Sequence, residues 1–107
     1  MVALLHNETV YIAGRITSDS NARRHFAAAE RHLRARGFLN IINPAELDTV
    51  LGDARTYGEC LKIDLALILV VVNRMYMLKK WELSLGATAE HSVAKAIGLD
   101  IEYEDAS

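Results

Sequence analysis

The sequence has few of the features that usually reveal a protein's class. Its 107 residues include one cysteine, Cys60, and one proline. A single thiol excludes an intrachain disulfide framework and the paired C-x-x-C elements of a zinc site. A formal charge of −2 and scattered Lys and Arg residues give no basic stripe, which argues against a nucleic-acid polymer as partner. We expect a reducing, cytoplasmic location.

Long apolar runs and nucleotide fingerprints are also missing. The longest apolar stretch, 65–72, is far shorter than the roughly 20 residues that a membrane helix needs. The N-terminus lacks a basic region before an apolar run, so we expect neither an anchor nor a signal. The chain contains neither G-x-G-x-x-G nor G-x-x-x-x-G-K-[ST], and we expect no nicotinamide, flavin or ATP cofactor and no metal.

What is present fits one small globular domain over 1–107. About half of the residues are apolar (51%) and a quarter are charged (24%), as in an ordinary folded domain. A chain this short buries a small fraction of its surface, which self-association would remedy. We therefore expect a homodimer or a higher homo-oligomer.

Apolar runs alternate with amphipathic segments along the chain. The predicted strands are 9–13, 38–42, 74–78 and 99–103, and the predicted helices are 22–36, 57–72 and 86–97. Residues 68–72 alone also fit a buried strand, and 45–55 is predicted as a loop with one helical turn at 45–50. In the last helix, Ala89, Val93, Ala94 and Ile97 are predicted to face inward. Right-handed crossovers then give a three-layer Rossmann/flavodoxin-like α/β sandwich with a mostly parallel sheet of four to five strands.

Ligands of such sheets bind at the carboxyl ends of the strands, which here are followed by loops after Ala13, Asn43 and Leu78. The first of these segments is Y-I-A-G-R-I-T, with Tyr11 inside the strand and Gly14 opening the loop. Its single glycine is weak support for a ligand site.

The segment W-E-L-S-L-G-A-T-A-E, residues 81–90, places glycine at a helix start and a carboxylate one turn further on. Ser84 and the backbone N–H groups near Gly86 suit a phosphate, because helix N-termini attract anions. Glu90 would face the same cavity. The alternative is that Ser84 only caps the helix.

Asp64 is a carboxylate within the apolar stretch L-K-I-D-L-A-L. Burying an unpaired charge costs several kcal/mol, so Asp64 either pairs with Lys62 or Arg74 or serves as a catalytic acid. Among the aromatic residues, Tyr57, Tyr76 and Trp81 suit stacking on a base or core packing, and Trp81 is the best stacking candidate. His91 is the one histidine that lies beside a candidate site residue.

Five segments together resemble the nucleoside 2-deoxyribosyltransferase-like superfamily over nearly the whole chain. They are Y-I-A-G-R-I-T, I-N-P-A-E-L, L-K-I-D-L-A, W-E-L-S-L-G-A-T-A-E and A-K-A-I-G-L-D-I-E-Y-E. Within it, the chain is most similar to a branch of small phage and bacterial domains of unassigned function, which share N-P-A-E-L and W-E-x-S-x-G-A-x-x-E. It is also similar to the 2′-deoxynucleoside 5′-phosphate N-hydrolases.

This resemblance implies roles for individual residues. Glu90 matches the nucleophile, and Asp64, which stands 26 residues earlier, matches the acid that assists the leaving base. Ser84 matches the serine that contacts a 5′-phosphate, while Tyr11 and Gly14 match residues of the sugar pocket. Tyr11 is predicted as the third catalytic residue beside Glu90 and Asp64. Two positions depart from the pattern. Arg15 begins R-I-T where the N-hydrolases have S-I-R, and Asn73 stands where many relatives have aspartate.

The implied activity is cleavage or transfer of the N-glycosidic bond of a nucleoside or nucleoside 5′-monophosphate, with Arg15, Gly86 and Trp81 as further binding residues. A carboxylate nucleophile and a carboxylic acid suit an oxocarbenium-like centre. Hydrolysis and transfer stay open. One alternative is a non-catalytic nucleotide-binding or sensing module. Another is a structural protein, in which Asp64 and Glu90 pair within the core. The resemblance further implies active sites completed by a neighbouring subunit.

Overall fold

The structure, a computed structural model, describes residues 7–16, 20–46 and 57–104. Its elements alternate along the chain as the apolar periodicity predicts. In chain order they are β1 (Thr9–Ala13), α1 (Ser20–Ala35), β2 (Asn40–Ile42), α2 (Tyr57–Val70), β3 (Arg74–Met77), a 3-10 helix (Trp81–Leu83), α3 (Leu85–Ala96) and β4 (Asp100–Tyr103).

Within the described residues, the four strands form one all-parallel sheet in the order β2-β1-β3-β4. β1 is central, and Tyr11 lies opposite Ile42 on one side and Met75 on the other. The α/β fold with a four-stranded parallel sheet is therefore confirmed. The chain first moves outward from β1 to β2 and then crosses to β3, so the topology reverses between β1 and β3.

Alternation along the strands creates a core on each face of the sheet. Val10 and Ile12 pack with α1, whereas Tyr11 and Ala13 pack beneath α2 and α3. The α1-side core also contains Phe26, Ala29, Leu33, Phe38, Ala45, Tyr76 and Leu78. The opposite core also contains Ile68, Val72, Met75, Met77 and Ala94. The helices therefore form the two outer layers of the predicted sandwich.

The end of α1 explains why β2 starts two residues later than predicted. Gly37 has a φ of 104°, and the N–H of Phe38 donates to the carbonyl of Leu33 at 3.2 Å. This is the 6→1 bond of a Schellman cap. Phe38 turns into the core instead of extending the strand, so β2 begins at Asn40.

The segment after β2 begins a helical turn at 44–46. The Asn43 side chain caps it, because Asn43 Oδ1 accepts a hydrogen bond from the N–H of Ala45 at 3.0 Å. The remainder of the segment predicted as a loop, 47–55, lies outside the described residues.

The ambiguous segment beginning at Tyr57 is helical through Val70, so a strand at 68–72 is wrong. Ile68 is fully buried, whereas Leu69 and Val70 are 58% and 79% exposed. The helix is apolar on both its inner and outer faces, which explains why its periodicity is weak. No helix among the described residues is long and apolar enough to cross a membrane.

In α3 the inward face differs from the prediction. The buried residues are Ala87, Glu90 and Ala94, while Ile97 is 45% exposed. Ile97 is the C-cap residue, so it lies beyond the last turn that packs on the sheet, and its predicted inward position is wrong. The buried stripe follows helical spacing and has a carboxylate at its centre.

Candidate active site

Three side chains from separate elements meet on the α2 and α3 side of the sheet. The hydroxyl of Tyr11 donates a hydrogen bond to Glu90 Oε2 at 2.6 Å. The Asp64 carboxyl group hydrogen-bonds with the Glu90 carboxyl and also interacts with the Tyr11 hydroxyl. We call these three side chains the carboxyl cluster. They are the three residues predicted as catalytic.

The local sequence explains why the cluster forms. Side chains alternate along β1, so Tyr11 and Ala13 lie on the face that α2 and α3 cover. Asp64 stands four residues before the buried Ile68, so the two lie on one face of α2. Glu90 stands three residues after Ala87 and four before Ala94, both of which are buried against the sheet.

Burial dominates the electrostatics of the cluster. Glu90 is 5% exposed, and this burial raises its pKa from 4.5 to about 8. The hydrogen bond from Tyr11 lowers the pKa of Glu90, while the charge of Asp64 and the hydrogen bond with it raise it. Near pH 7 the protonated form of Glu90 is therefore favoured. Burial also raises the pKa of Tyr11 well above 10, so its hydroxyl stays a donor.

Arg74, one of the two predicted ion-pair partners of Asp64, pairs with other carboxylates. Arg74 Nε lies 2.8 Å from Glu8 Oε2, and Arg74 Nη2 lies 3.8 Å from Asp100 Oδ2. The Asp64 carboxyl group instead interacts with Glu90 and Tyr11. Two acids thus share one partly buried site, an arrangement that favours one proton between them.

Ser84 and Gly86 lie at the start of α3. Ser84 is the N-cap, and its Oγ accepts a hydrogen bond from the N–H of Ala87 at 3.1 Å. Ser84 therefore caps α3, as the alternative interpretation of this residue predicts. This contact uses the serine oxygen as an acceptor, so the hydroxyl hydrogen can be donated to an anion. Gly86 is half-buried in the first turn.

Gly14 ends the central strand and is required there by packing. A Cβ added at Gly14 would lie 2.9 Å from Leu78 Cδ1, closer than real side chains approach. Arg15, the next residue, is exposed at the carboxyl edge of the sheet. The glycine thus brings two loops together, after β1 and after β3.

Comparison with known proteins gives one result. Residues 8–103 match the family described as "Domain of unknown function (DUF4406)". The chain belongs to this family. No curated protein and no solved structure gives a significant match.

Trp81 of this DUF4406 domain belongs to an aromatic cluster with His91 and Tyr103. The Trp81 and His91 rings are 4.2 Å apart between centroids at an angle of 31°, so one face of the indole is covered. His91 Nε2 lies 2.7 Å from the Tyr103 hydroxyl, and burial, followed by the charge of Lys95, lowers the pKa of His91. These contacts give His91 a packing role.

The other aromatic candidates differ from Trp81. Tyr76 is 5% exposed in the α1-side core, so for this residue the packing interpretation is confirmed. The Tyr57 side chain lies outside the described part of the chain. In residues 7–16, 20–46 and 57–104, no three His, Cys, Asp or Glu side chains gather where they could hold a metal ion.

Sequence reasoning missed a basic cleft in the DUF4406 domain. It has a volume of about 380 Å³ and lies at the carboxyl ends of β1 and β3. Its cationic residues are Arg15, Lys79 and Lys80, and His25 of α1 completes its polar lining. These residues come from three segments, so no local motif contains them. The signal available was Lys79-Lys80 immediately after a predicted strand.

Proposed function

We propose that this domain cleaves the N-glycosidic bond of a deoxynucleoside or a deoxynucleoside 5′-monophosphate. The observation that carries the proposal is the carboxyl cluster, in which Tyr11, Asp64 and Glu90 meet. The resemblance to deoxyribosyltransferases and 2′-deoxynucleoside 5′-phosphate N-hydrolases supplies the reaction class. Glycoside chemistry uses two carboxyl groups, one as nucleophile or base and one as acid, on either side of the scissile bond. The cluster supplies both groups, and Asp64 and Glu90 separate when the substrate enters between them.

The singly protonated carboxyl pair is the reactive form. In the ligand-free protein burial raises the pKa of Glu90 to about 8, so the pair keeps a proton at neutral pH. With that proton on Asp64, Glu90 is a carboxylate and Asp64 is the acid. Tyr11 donates to Glu90 Oε2 and thereby stabilises the carboxylate form.

In the first chemical step, a Glu90 carboxylate oxygen bonds to the anomeric carbon. The bond from that carbon to the base nitrogen breaks, and its electron pair goes to the base, which takes the proton of Asp64. A glycosyl ester of Glu90 results. In the second step water, or a second base in transfer, bonds to the anomeric carbon and gives its proton to Asp64. The bond from that carbon to Glu90 breaks, and its electron pair returns to the Glu90 carboxylate.

Binding of the substrate would use the residues around the cluster. Ser84 and the first turn of α3, near Gly86, bind the 5′-phosphate, since the N-cap hydroxyl and helix N-terminus suit an anion. Gly14 borders the sugar at the end of β1, whereas Arg15 lines the basic cleft. Trp81, which is partly buried against the core on the α2 and α3 side, is the residue proposed to contact the base.

A homodimer formed through α2 is part of this proposal. Residues 66–70 of α2 contain no charged side chain, and Leu69 and Val70 are exposed. Self-association would bury this apolar surface, and an uncharged patch suits the same patch of a second copy. Light scattering should give a dimer that Val70→Asp dissociates, while Leu39→Asp, at an exposed leucine outside α2, should not. A wild-type monomer would contradict the dimer.

We place the protein in the reducing cytoplasm, where Cys60 stays a thiol.

The decisive experiment measures base release. Purified protein is incubated with each deoxynucleoside and deoxynucleoside 5′-monophosphate, with and without a second free base, and the bases are separated by chromatography. Glu90→Gln and Asp64→Asn should abolish release or exchange. Glu82→Gln is the matched control, because Glu82 is an exposed carboxylate of the preceding 3-10 helix. Unchanged release in Glu90→Gln would refute the proposal.

One observation favours a second candidate, a nucleotide-binding module without turnover. Glu90 is mainly neutral at pH 7 and hydrogen-bonded within the cluster. Among the described residues, every buried side-chain nitrogen or oxygen atom has a hydrogen-bond partner. A neutral, fully hydrogen-bonded Glu90 suits a module without turnover, and its pairing with Asp64 is also what the structural alternative expects. Nucleotide binding without any released base across the panel would select this alternative.

A further inference from the structure

The basic cleft lies where the topology of the sheet reverses. The chain leaves β1 toward β2 at one edge, and β3 pairs with the other side of β1. Loops after the two central strands therefore diverge and leave a crevice at their carboxyl ends. Arg15 follows β1 and Leu78, Lys79 and Lys80 follow β3, and all four line the cleft of about 380 Å³.

The described lining of this cleft is positively charged. Arg15, Lys79 and Lys80 contribute three cationic side chains, and none of the lining residues within 7–16, 20–46 and 57–104 is a carboxylate. Glu104 lies nearby, but its Oε1 is 2.8 Å from His25 Nε2 and accepts a hydrogen bond from the N–H of Lys79 at 2.8 Å. This carboxylate thus fixes the wall of the cleft by binding His25 and the backbone.

The start of α1 adds to the positive potential. Asn21 and Ala22, in the first turn of this 16-residue helix, line the same cleft. The positive end of the helix dipole and the three cations therefore act on the same space.

Lys80 has a backbone conformation that glycine would adopt without strain. Its φ is 66° and its ψ is 20°, and it is the one non-glycine residue with positive φ in the described part of the chain. Such a conformation is costly for a residue with a side chain, and strained residues cluster at functional sites. This strained position lies in the lining of the cleft, between Lys79 and the 3-10 helix.

We propose that this cleft binds the diphosphate group of a nucleotide. Three cations match the charge of a diphosphate better than that of one phosphate, and the volume is in the range of small-molecule sites. Its lining includes Leu83 but neither Ser84 nor Gly86, the residues proposed to bind the 5′-monophosphate. It does not depend on catalysis by Glu90.

The test is calorimetric titration at low ionic strength with pyrophosphate, dADP, dAMP and deoxyadenosine. Wild-type protein should bind pyrophosphate and dADP saturably, with dADP at least about tenfold tighter than dAMP. Arg15→Ala and Lys80→Gly should each weaken dADP binding by about tenfold or more, because a charge-assisted hydrogen bond is lost. Lys80→Arg should retain binding.

Two controls separate this site from the carboxyl cluster. Arg24→Ala removes an exposed cation of α1 outside the cleft, so dADP binding should not change. Glu90→Gln should bind dADP as the wild type does, whether or not base release is lost.

Absence of saturable pyrophosphate binding, or full-strength binding by Arg15→Ala and Lys80→Gly, would overturn the proposal. Pyrophosphate binding without a preference for dADP over dAMP would overturn the assignment to a nucleotide.

Discussion

Tyr11 and Glu90 are 79 positions apart in sequence, and the hydroxyl of Tyr11 donates a hydrogen bond of 2.6 Å to Glu90 Oε2. The bond joins the central strand to the helix that precedes the last strand. It is also the one contact of the cluster that lowers the pKa of Glu90. Tyr11 therefore counteracts part of the effect of burial and helps set the protonation state of the carboxyl pair.

Removing this hydroxyl should raise the pKa of Glu90. In Tyr11→Phe the stabilising donor to the carboxylate is lost, while burial and the charge of Asp64 remain. Carboxyl-carbon NMR should give a pKa above the value of about 8 in the wild type. Tyr103→Phe removes a hydroxyl that contacts His91 instead, so it should leave the pKa of Glu90 in place. A lower pKa in Tyr11→Phe would contradict this assignment.

The raised pKa of Glu90 should make the fold less stable as pH rises. Its ordinary pKa is 4.5 and its folded-state pKa is about 8, so between these values the folded state binds more protons than the unfolded state. The free energy of unfolding should then fall with pH, by at most about 1.4 kcal/mol per pH unit from this group. The stabilisation is complete below 4.5 and is lost as pH rises through about 8.

Denaturant unfolding from pH 5 to 9 measures this effect. Glu90→Gln should remove most of the slope, because glutamine does not titrate. The exposed-site variant Glu82→Gln should keep it. A slope that Glu90→Gln leaves unchanged would show that Glu90 does not cause it.

The proposed reaction should lose activity in alkaline solution. The reactive pair holds one proton. It loses this proton as the pH rises above about 8, the pKa of Glu90. Base release should therefore decrease about tenfold per pH unit well above that value. Rates measured by chromatography from pH 6 to 10 test this. A rate that increases above pH 8 would mean that no carboxylic acid takes part.

Substitution at Gly14 should destabilise the junction of the two central loops. In Gly14→Ala the new Cβ would meet three side-chain atoms of Leu78, 2.9 to 3.1 Å away. Overpacking of this kind costs about 1–3 kcal/mol of unfolding free energy. Gly58→Ala is the matched control, since nothing lies within 4 Å of the added methyl group, and alanine favours the helix. Equal stability of the two variants would contradict the packing role of Gly14.

The fold could be predicted because each strand and helix has its own local pattern. Thr9–Ala13 is β-branched and aromatic, and its predicted bounds agree with β1. Ile97 was misplaced because the heptad-like spacing continues past the point where α3 leaves the sheet. The carboxylate Glu90 is more buried than the apolar Ile97. A hydrophobicity pattern predicts the opposite, because it places apolar residues inside and charged residues outside.

The site was only partly predictable, for a geometric reason. Asp64 could be predicted because it is a charged residue within an apolar helix. Its pairing with Glu90 was implied only by the family resemblance. The hydrogen bond between Tyr11 and Glu90 and the cleft formed by Arg15 and Lys80 depend on strand order. Residues far apart in sequence meet there because β1 and β3 are neighbours, which no single segment shows.

Lys80 offers a way to separate stability from ligand binding. Lys80→Ala and Lys80→Gly delete the same charge, but only glycine adopts a φ of 66° without steric cost. The glycine variant should therefore be more stable than the alanine variant by about 1 kcal/mol in denaturant unfolding. Both variants should lose dADP binding to a similar extent, since both lack the ammonium group. If the alanine variant proved the more stable, Lys80 would not be strained and its conformation would no longer support a role for its side chain.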